Sequence, residues 1–204
     1  MSSSTGSTAP ISLPPRDTAR AMTKEKVEVV RAPVPPRSVE EQILVRMPFL
    51  ADRALARMAS LPPGSALRRR LLTRGLRRAF DAVARNDPEV PLWGYEPDVE
   101  IRLFGAAGLG FKNRYEGHQG WLDFVGDFYE TFVEPRDTVK RVLDAGDRLV
   151  AEVEFQGQGK ASGVGVGNTW STVYYLSPRG KIRRQDIFFE GGWTLALEAA
   201  GLSE

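Results

Sequence analysis

Apolar positions along the chain change period several times, and each change marks an element. From Ser38 to Leu61 the residues Ile43, Leu44, Met47, Leu50, Leu55 and Met58 recur at helical spacing, with an interruption at Pro48. Ser38 followed by Glu40 and Glu41 reads as a helix start, because acids favour the positive end of the helix dipole. Pro62-Pro63-Gly64 reads as a stop. Ser65 to Asn86 carries the clearest helix. With Leu72 at the centre of the wheel, Leu76, Ala79, Phe80 and Val83 share one apolar arc, and Arg70, Arg74, Arg77, Arg78 and Arg85 share the other. After Asn86-Asp87-Pro88 the period drops to two, and Val99 to Leu103 alternates as a half-buried strand does.

Helical spacing returns from Gly117 to Val133, where Trp121, Phe124, Val125, Phe128, Tyr129 and Phe132 step by three and four. Strand-like runs then follow at about 137–143, 148–156, 168–176 and 181–189, with turn chemistry at Asp144 to Asp147 and at Ser177 to Gly180. Gly192 to Gly201 reads as a short closing helix. Helices first, then antiparallel strands joined by short turns, predict an α+β fold. A strongly curved sheet with helices across its open face would form a cone-shaped pocket for small apolar molecules. Residues 1–37 are rich in Ser, Thr and Pro and have little to bury, so they read as a disordered tail. Residues 38–64 read as an amphipathic basic helical extension, and 65–204 as the folded domain.

Composition changes this picture in two respects. The net charge of +2 hides an asymmetry: residues 1–86 hold 16 Lys/Arg against 7 Asp/Glu, whereas 87–204 hold 12 against 19. The absence of cysteine excludes a disulfide scaffold, a thiolate metal site and a cysteine nucleophile. With the single histidine His118, a His-rich metal site is not expected, nor is any other metal or cofactor. No apolar stretch approaches the roughly 18 residues of a membrane span. The opening segment has no apolar core of a secretory signal, so a cytoplasmic protein is expected.

Several segments together carry a family resemblance. These are Asn86-Asp87, Tyr95 to Arg102, Tyr115-Glu-Gly117-His-Gln-Gly120-Trp121 opening a helix, Gly146 to Val150, Gly180-Lys-Ile182, and Leu195 to Leu202. In this order they resemble the SnoaL-like branch of the nuclear transport factor 2 (NTF2-like) superfamily over about residues 66–202. The resemblance implies a cone-shaped barrel of curved mixed or antiparallel sheet, usually a homodimer. It also implies functions ranging from ketosteroid isomerases, epoxide hydrolases, dehydratases and polyketide cyclases to proteins without catalysis. The isomerase base falls at Leu103 and its oxyanion donors at Ala79 and Thr172, so the isomerase machinery is absent. The epoxide-hydrolase positions fall at Ile187, Glu152 and Glu154, without a matching arginine.

The candidate residues follow from alternation. Glu152 and Glu154 share one strand face and would serve as general acid or base if that face lined the cone. The competing reading puts Ala151, Val153 and Phe155 inward and the glutamates in water. Asn168, Trp170, Thr172 and Tyr174 share a face of the next strand, opposite Thr169, Ser171, Val173 and Tyr175. The resemblance implies that the first set points into the cone, where it would hold a ring, continued by Gln185, Ile187 and Phe189, with Leu103 nearby. Asp186 is expected to face outward, paired with Arg184 or Lys181. His118 is a further acid–base candidate, or else a helix cap. The arginines Arg68, Arg69, Arg70, Arg74, Arg77 and Arg78 have no interleaved aromatics or nucleic-acid motif, so a solvated face is expected and nucleic acid is not. The basic stretch 39–78 also has the composition of a membrane-surface contact. Gly157 to Gly167 lacks the context of a phosphate loop and reads as a hairpin loop. The sequence thus leads to a small, largely apolar, cyclic metabolite held in a cone. It leaves open cofactor-free acid–base catalysis (cyclase, dehydratase, isomerase or hydrolase) against a non-catalytic dimerisation or interaction module using the basic N-terminal segment.

Overall fold

Ser38 opens the first helix, α1 (Val39–Arg46), with a reciprocal cap. The Glu41 amide donates to Ser38 Oγ at 3.2 Å, and the Ser38 amide donates to Glu41 Oε2 at 2.6 Å. Pro48 cannot donate a backbone hydrogen bond, so it ends α1 and starts α2 (Pro48–Ala59). The structure is a computed structural model that describes residues 34–190 and 192–202. Most of the predicted tail therefore lies outside the described residues. Ser65 caps α3 (Ala66–Ala84), and Asn86, at φ 58°, turns the chain out of it.

The sequence reading had no counterpart for the short helix α4 (Glu89–Leu92) or the three-residue strand β2 (Arg114–Glu116). Both are too short to establish a period. Between them runs β1 (Tyr95–Phe104), and after them α5 (Gly117–Thr131), which passes directly into β3 (Phe132–Asp144). Then come β4 (Arg148–Gly159), β5 (Gly165–Leu176), β6 (Ile182–Phe188) and α6 (Gly192–Ala199). The glycine-rich segment mostly extends β4 and β5, pairing Gly157 with Val166 and Gln158 with Gly165.

Among the described residues these strands form one curved sheet in the order β2-β1-β6-β5-β4-β3. Only β1 and β6 run parallel. The register fixes which side chains share a face. Asp137 stands opposite Phe155, Val153 opposite Trp170, Leu149 opposite Tyr174, and Tyr174 opposite Gln185, all on the concave side. That side packs against α3 and α5 through Leu72, Leu76, Trp121, Val125 and Phe128. On the convex side Val150, Val173 and Phe188 are covered by Ala196 and Ala200 at the C-terminal helix.

The arginine face of α3 is not uniformly solvated. Arg68 is 3% exposed. Its Nε lies 3.1 Å from Asp144 Oδ2. Its guanidinium also donates to the carbonyls of Ala59 and Leu61, each at 3.1 Å, and to that of Gly146. Asp144 accepts in addition from the Gly64 amide at 2.9 Å and the Gly146 amide at 3.1 Å. The end of α2, the start of α3 and the β3–β4 turn therefore meet on one buried ion pair. A second anchor lies under the middle of α2. Gly180, at φ 76° in the β5–β6 turn, comes so close to α2 that a Cβ would stand 2.6 Å from the Leu55 carbonyl oxygen.

Removing one partner of a buried pair leaves an uncompensated charge. Asp144→Ala is accordingly expected to cost about 3–5 kcal/mol in urea unfolding. A loss below about 1 kcal/mol, the range of a surface pair, would mean the anchor is not structural.

Candidate functional site

Helices α1, α2 and α3 and the concave face of the sheet enclose a cavity of about 610 Å³, a volume suited to a small organic ligand. Its walls are largely apolar: Leu44, Leu55 and Met58 from the first two helices, Leu72, Leu76 and Phe80 from α3, and Trp121, Val125 and Phe128 from α5. The sheet contributes the polar groups. Asp137, Tyr95, Tyr174 and Gln185 line the same space, with Trp170, Ile187 and Phe189 beside them.

Asp137 is the group with chemical potential. Burial in this apolar wall penalises the charged carboxylate and pushes its pKa up to about 7. The indole N–H of Trp170 donates to Asp137 Oδ1 at 3.0 Å and partly offsets that effect. Phe80 packs edge-on against the same indole, with ring centroids 5.8 Å apart, and fixes its plane. A carboxyl group poised near neutrality can both take and return a proton at working pH. Across the cavity, the Tyr95 hydroxyl donates to Gln185 Oε1 at 2.8 Å, and Gln185 Nε2 donates to Thr172 Oγ1 at 3.3 Å. Burial keeps the hydroxyls of Tyr95 and Tyr174 protonated far into the alkaline range. Both are thus neutral hydrogen-bond donors.

The residues expected from the sequence separate into three groups. Trp170, Tyr174, Gln185, Ile187 and Phe189 line the cavity together. Thr172 and Leu103 face the interior but lie in packed wall behind it, 0% and 5% exposed. Asn168 is a correction: it has the inward parity of Phe155, but it is exposed near the outer end of β5 and its Oδ1 accepts from the Thr169 amide. Glu152 and Glu154 require the larger correction. They project from the convex face, where Arg141 Nε meets Glu152 at 2.9 Å and Lys140 meets Glu154 at 2.7 Å. Ala151, Val153 and Phe155 hold the inner face, as apolar burial demands. His118 also misses the cavity, its Nε2 lying 3.2 Å from the Tyr95 carbonyl oxygen. Asp186 faces outward and pairs with Arg184 Nε at 2.8 Å, yet it is 1% exposed rather than a surface group. Lys181 pairs instead with Asp52 of α2 at 2.6 Å.

The sequence reading missed Asp137, although a signal was available. Val139 and Asp137 are two residues apart on one strand, so whichever face buries the valine also holds the carboxylate. No group of three or more metal-ligating acids or histidines occurs among the described residues. Nor is any helix among them long and apolar enough to cross a membrane.

A curved sheet closed by helices over a small apolar cavity is the architecture of an NTF2-like cone. A family model described as the SnoaL-like domain matches residues 76–185, more than half of the sequence, and the chain belongs to that family. No curated protein gave a significant match. Among solved structures, TerC co-crystallised with polyporic acid superposes with a TM-score of 0.52 at 20% identity, over 62% of this chain and 94% of that one. An NTF2-like protein of unknown function from Burkholderia pseudomallei gives 0.52 at 18% identity, over 63% and 94%. A protein described as a SnoaL-like polyketide cyclase from Jannaschia gives 0.50 at 20% identity, over 62% and 88%. At these identities the likeness is one of fold.

Titration of Asp137 is directly observable. In the folded chain its carboxyl carbon is expected to titrate by NMR with a midpoint of about 7. Trp170→Phe removes the donor that favours the charged form, so it should move that midpoint upward. The folded chain holds this proton to higher pH than the unfolded chain does. The group's stabilising contribution is therefore full below the ordinary carboxylate range and lost as pH rises through about 7. Asp137→Asn should gain thermal stability relative to the native chain across that window. A pH-independent difference between the two would contradict the assignment.

Proposed function

We propose that the cavity binds a small, largely apolar cyclic metabolite and that Asp137 performs cofactor-free acid–base chemistry on it. The observation that carries this reading is a carboxyl group held near neutrality inside a ligand-sized apolar cavity. The carboxylate would remove a proton from a carbon next to a carbonyl, and the resulting acid would return it to another atom of the same substrate. Cyclisation, isomerisation and dehydration all need that transfer. A hydroxyl that stays neutral, such as that of Tyr174, would donate to the oxyanion developing on the carbonyl. Trp170 both orients the carboxyl group and offers a flat surface to a ring. TerC, a relative in fold, was co-crystallised with polyporic acid, and a further relative is described as a polyketide cyclase. Both descriptions accord with a ring-shaped ligand.

The test needs no natural substrate. 2-Tetralone is a bicyclic ketone whose acidic C–H protons exchange in deuterated water, and NMR follows that exchange. The native chain is expected to accelerate exchange over buffer, with a rate that rises through pH 7 as Asp137 ionises. Asp137→Asn should lower the enzyme-dependent rate about 100-fold or more. If the native chain gives no acceleration, the acid–base reading fails. A rate insensitive to Asp137→Asn would move the chemistry elsewhere.

A further inference from the structure

The cavity has a charged edge that its apolar walls do not require. Arg57 of α2 and Arg74 and Arg78 of α3 all line it, and Arg57 and Arg74 are exposed, so they stand at its mouth. Leu67 and Leu71, 57% and 38% exposed, mark the same opening. Glu40 of α1 reaches across and takes both α3 arginines, Arg74 at 3.0 Å and Arg78 more closely. Arg57 has no carboxylate partner among the described residues. Glu41, the other acid near the mouth, is already occupied by Arg85 at 3.2 Å and by the Ser38 cap. Three guanidinium groups thus stand around an apolar opening, where Glu40 is held by two of them.

We infer that the ligand is an amphipathic organic anion, with its apolar body in the cavity and its carboxylate-like head on Arg57, Arg74 and Arg78. This inference rests on the cavity-binding reading above and adds the class and orientation of the ligand. Inside the cavity an anionic head would lie in apolar wall or beside the Asp137 carboxylate, and both are unfavourable. At the mouth it meets planar donors matched to a carboxylate. This end-to-end polarity turns the uncharged part of the ligand toward Asp137. Glu40, Arg57 and Arg74 precede the segment matched by the family model, and Arg78 lies just inside it, so most of the rim is carried by chain before that segment.

Two fluorescent probes test the idea. 1-Anilinonaphthalene-8-sulfonate and N-phenyl-1-naphthylamine share one apolar skeleton, and only the first carries an anion. Titrated into the full chain at low salt, the sulfonate is expected to bind about five-fold tighter, the scale of a partly exposed ion pair. It should also displace the neutral probe from the same site. Arg57→Gln combined with Arg74→Gln should bring its affinity down to that of the neutral probe and leave the neutral probe unchanged. Glu40→Gln frees two arginines and should strengthen sulfonate binding about two-fold or more. Equal affinities that none of these substitutions alters would overturn the rim while leaving the cavity reading intact. So would sulfonate binding that does not displace the neutral probe. If neither probe binds, the cavity reading falls and the rim falls with it.

Discussion

The arrangement of this molecule depends on one buried ion pair. Arg68 and Asp144 lie 76 positions apart and are almost wholly removed from water, which makes each alone an expensive group to bury. Their cost is offset by their mutual attraction at 3.1 Å and by the backbone groups that each of them binds, although Arg68 Nε itself makes no hydrogen bond. Arg68 feeds carbonyls from the chain after α2 and from the β3–β4 turn, while Asp144 takes amides from both. The pair therefore does more than stabilise. Together with the Lys181–Asp52 pair and the close approach of Gly180 to Leu55, it ties α2, one wall of the cavity, to the sheet.

That wall decides the chemistry of Asp137. On the convex side Glu152 and Glu154 each pair with a cation of the neighbouring strand. On the concave side Asp137 stands among Phe80, Trp170 and Phe155, with a single N–H donor at 3.0 Å and no cation paired with it among the described residues. Desolvation then outweighs the hydrogen bond, and the proton is held to about neutral pH. Acids on neighbouring strands thus meet different surroundings because the pleat sends them to opposite faces.

This parity also explains how far the sequence could be read. Alternation along β5 and β6 grouped Trp170 with Tyr174 and Gln185 with Ile187. The family resemblance supplied the choice of the inward face, because the opposite set Thr169, Ser171, Val173 and Tyr175 is not decisively different in bulk. On β4 alternation left two readings, Glu152 and Glu154 inward as acid–base groups or Ala151, Val153 and Phe155 inward, and only the structure decides for the apolar set. Parity says which face a residue occupies, but not how far along the strand the cavity extends. Asn168 has the right face and the wrong position. Asp137 was overlooked because a lone carboxylate at the start of a strand resembles a surface residue until its partner across the sheet, Phe155, is known. Arg68 was unreadable for a related reason. The helix wheel puts Arg68 and Arg69 beside the apolar arc of α3 and Arg70 opposite it, but it does not choose between the first two, and the acid that buries Arg68 comes from a distant turn.

The family segment, residues 76–185, contains Asp137, Trp170, Tyr174 and Gln185 but neither of the first two helices. Those helices, on the other hand, supply Leu44, Leu55 and Met58 to the cavity walls and Glu40 and Arg57 to its mouth. The buried polar groups of the cavity and most of its charged rim are thus carried by different stretches of chain. They are joined through Arg68 and Asp144, and through the close approach of Gly180 to α2. A fold that hosts many reactions can keep its sheet and change its ligand in this way. A polar group inside the cone is constrained by packing on every side, whereas an exposed rim residue is not. Selectivity can therefore change at the α1–α3 opening without disturbing the desolvated carboxyl group beneath it.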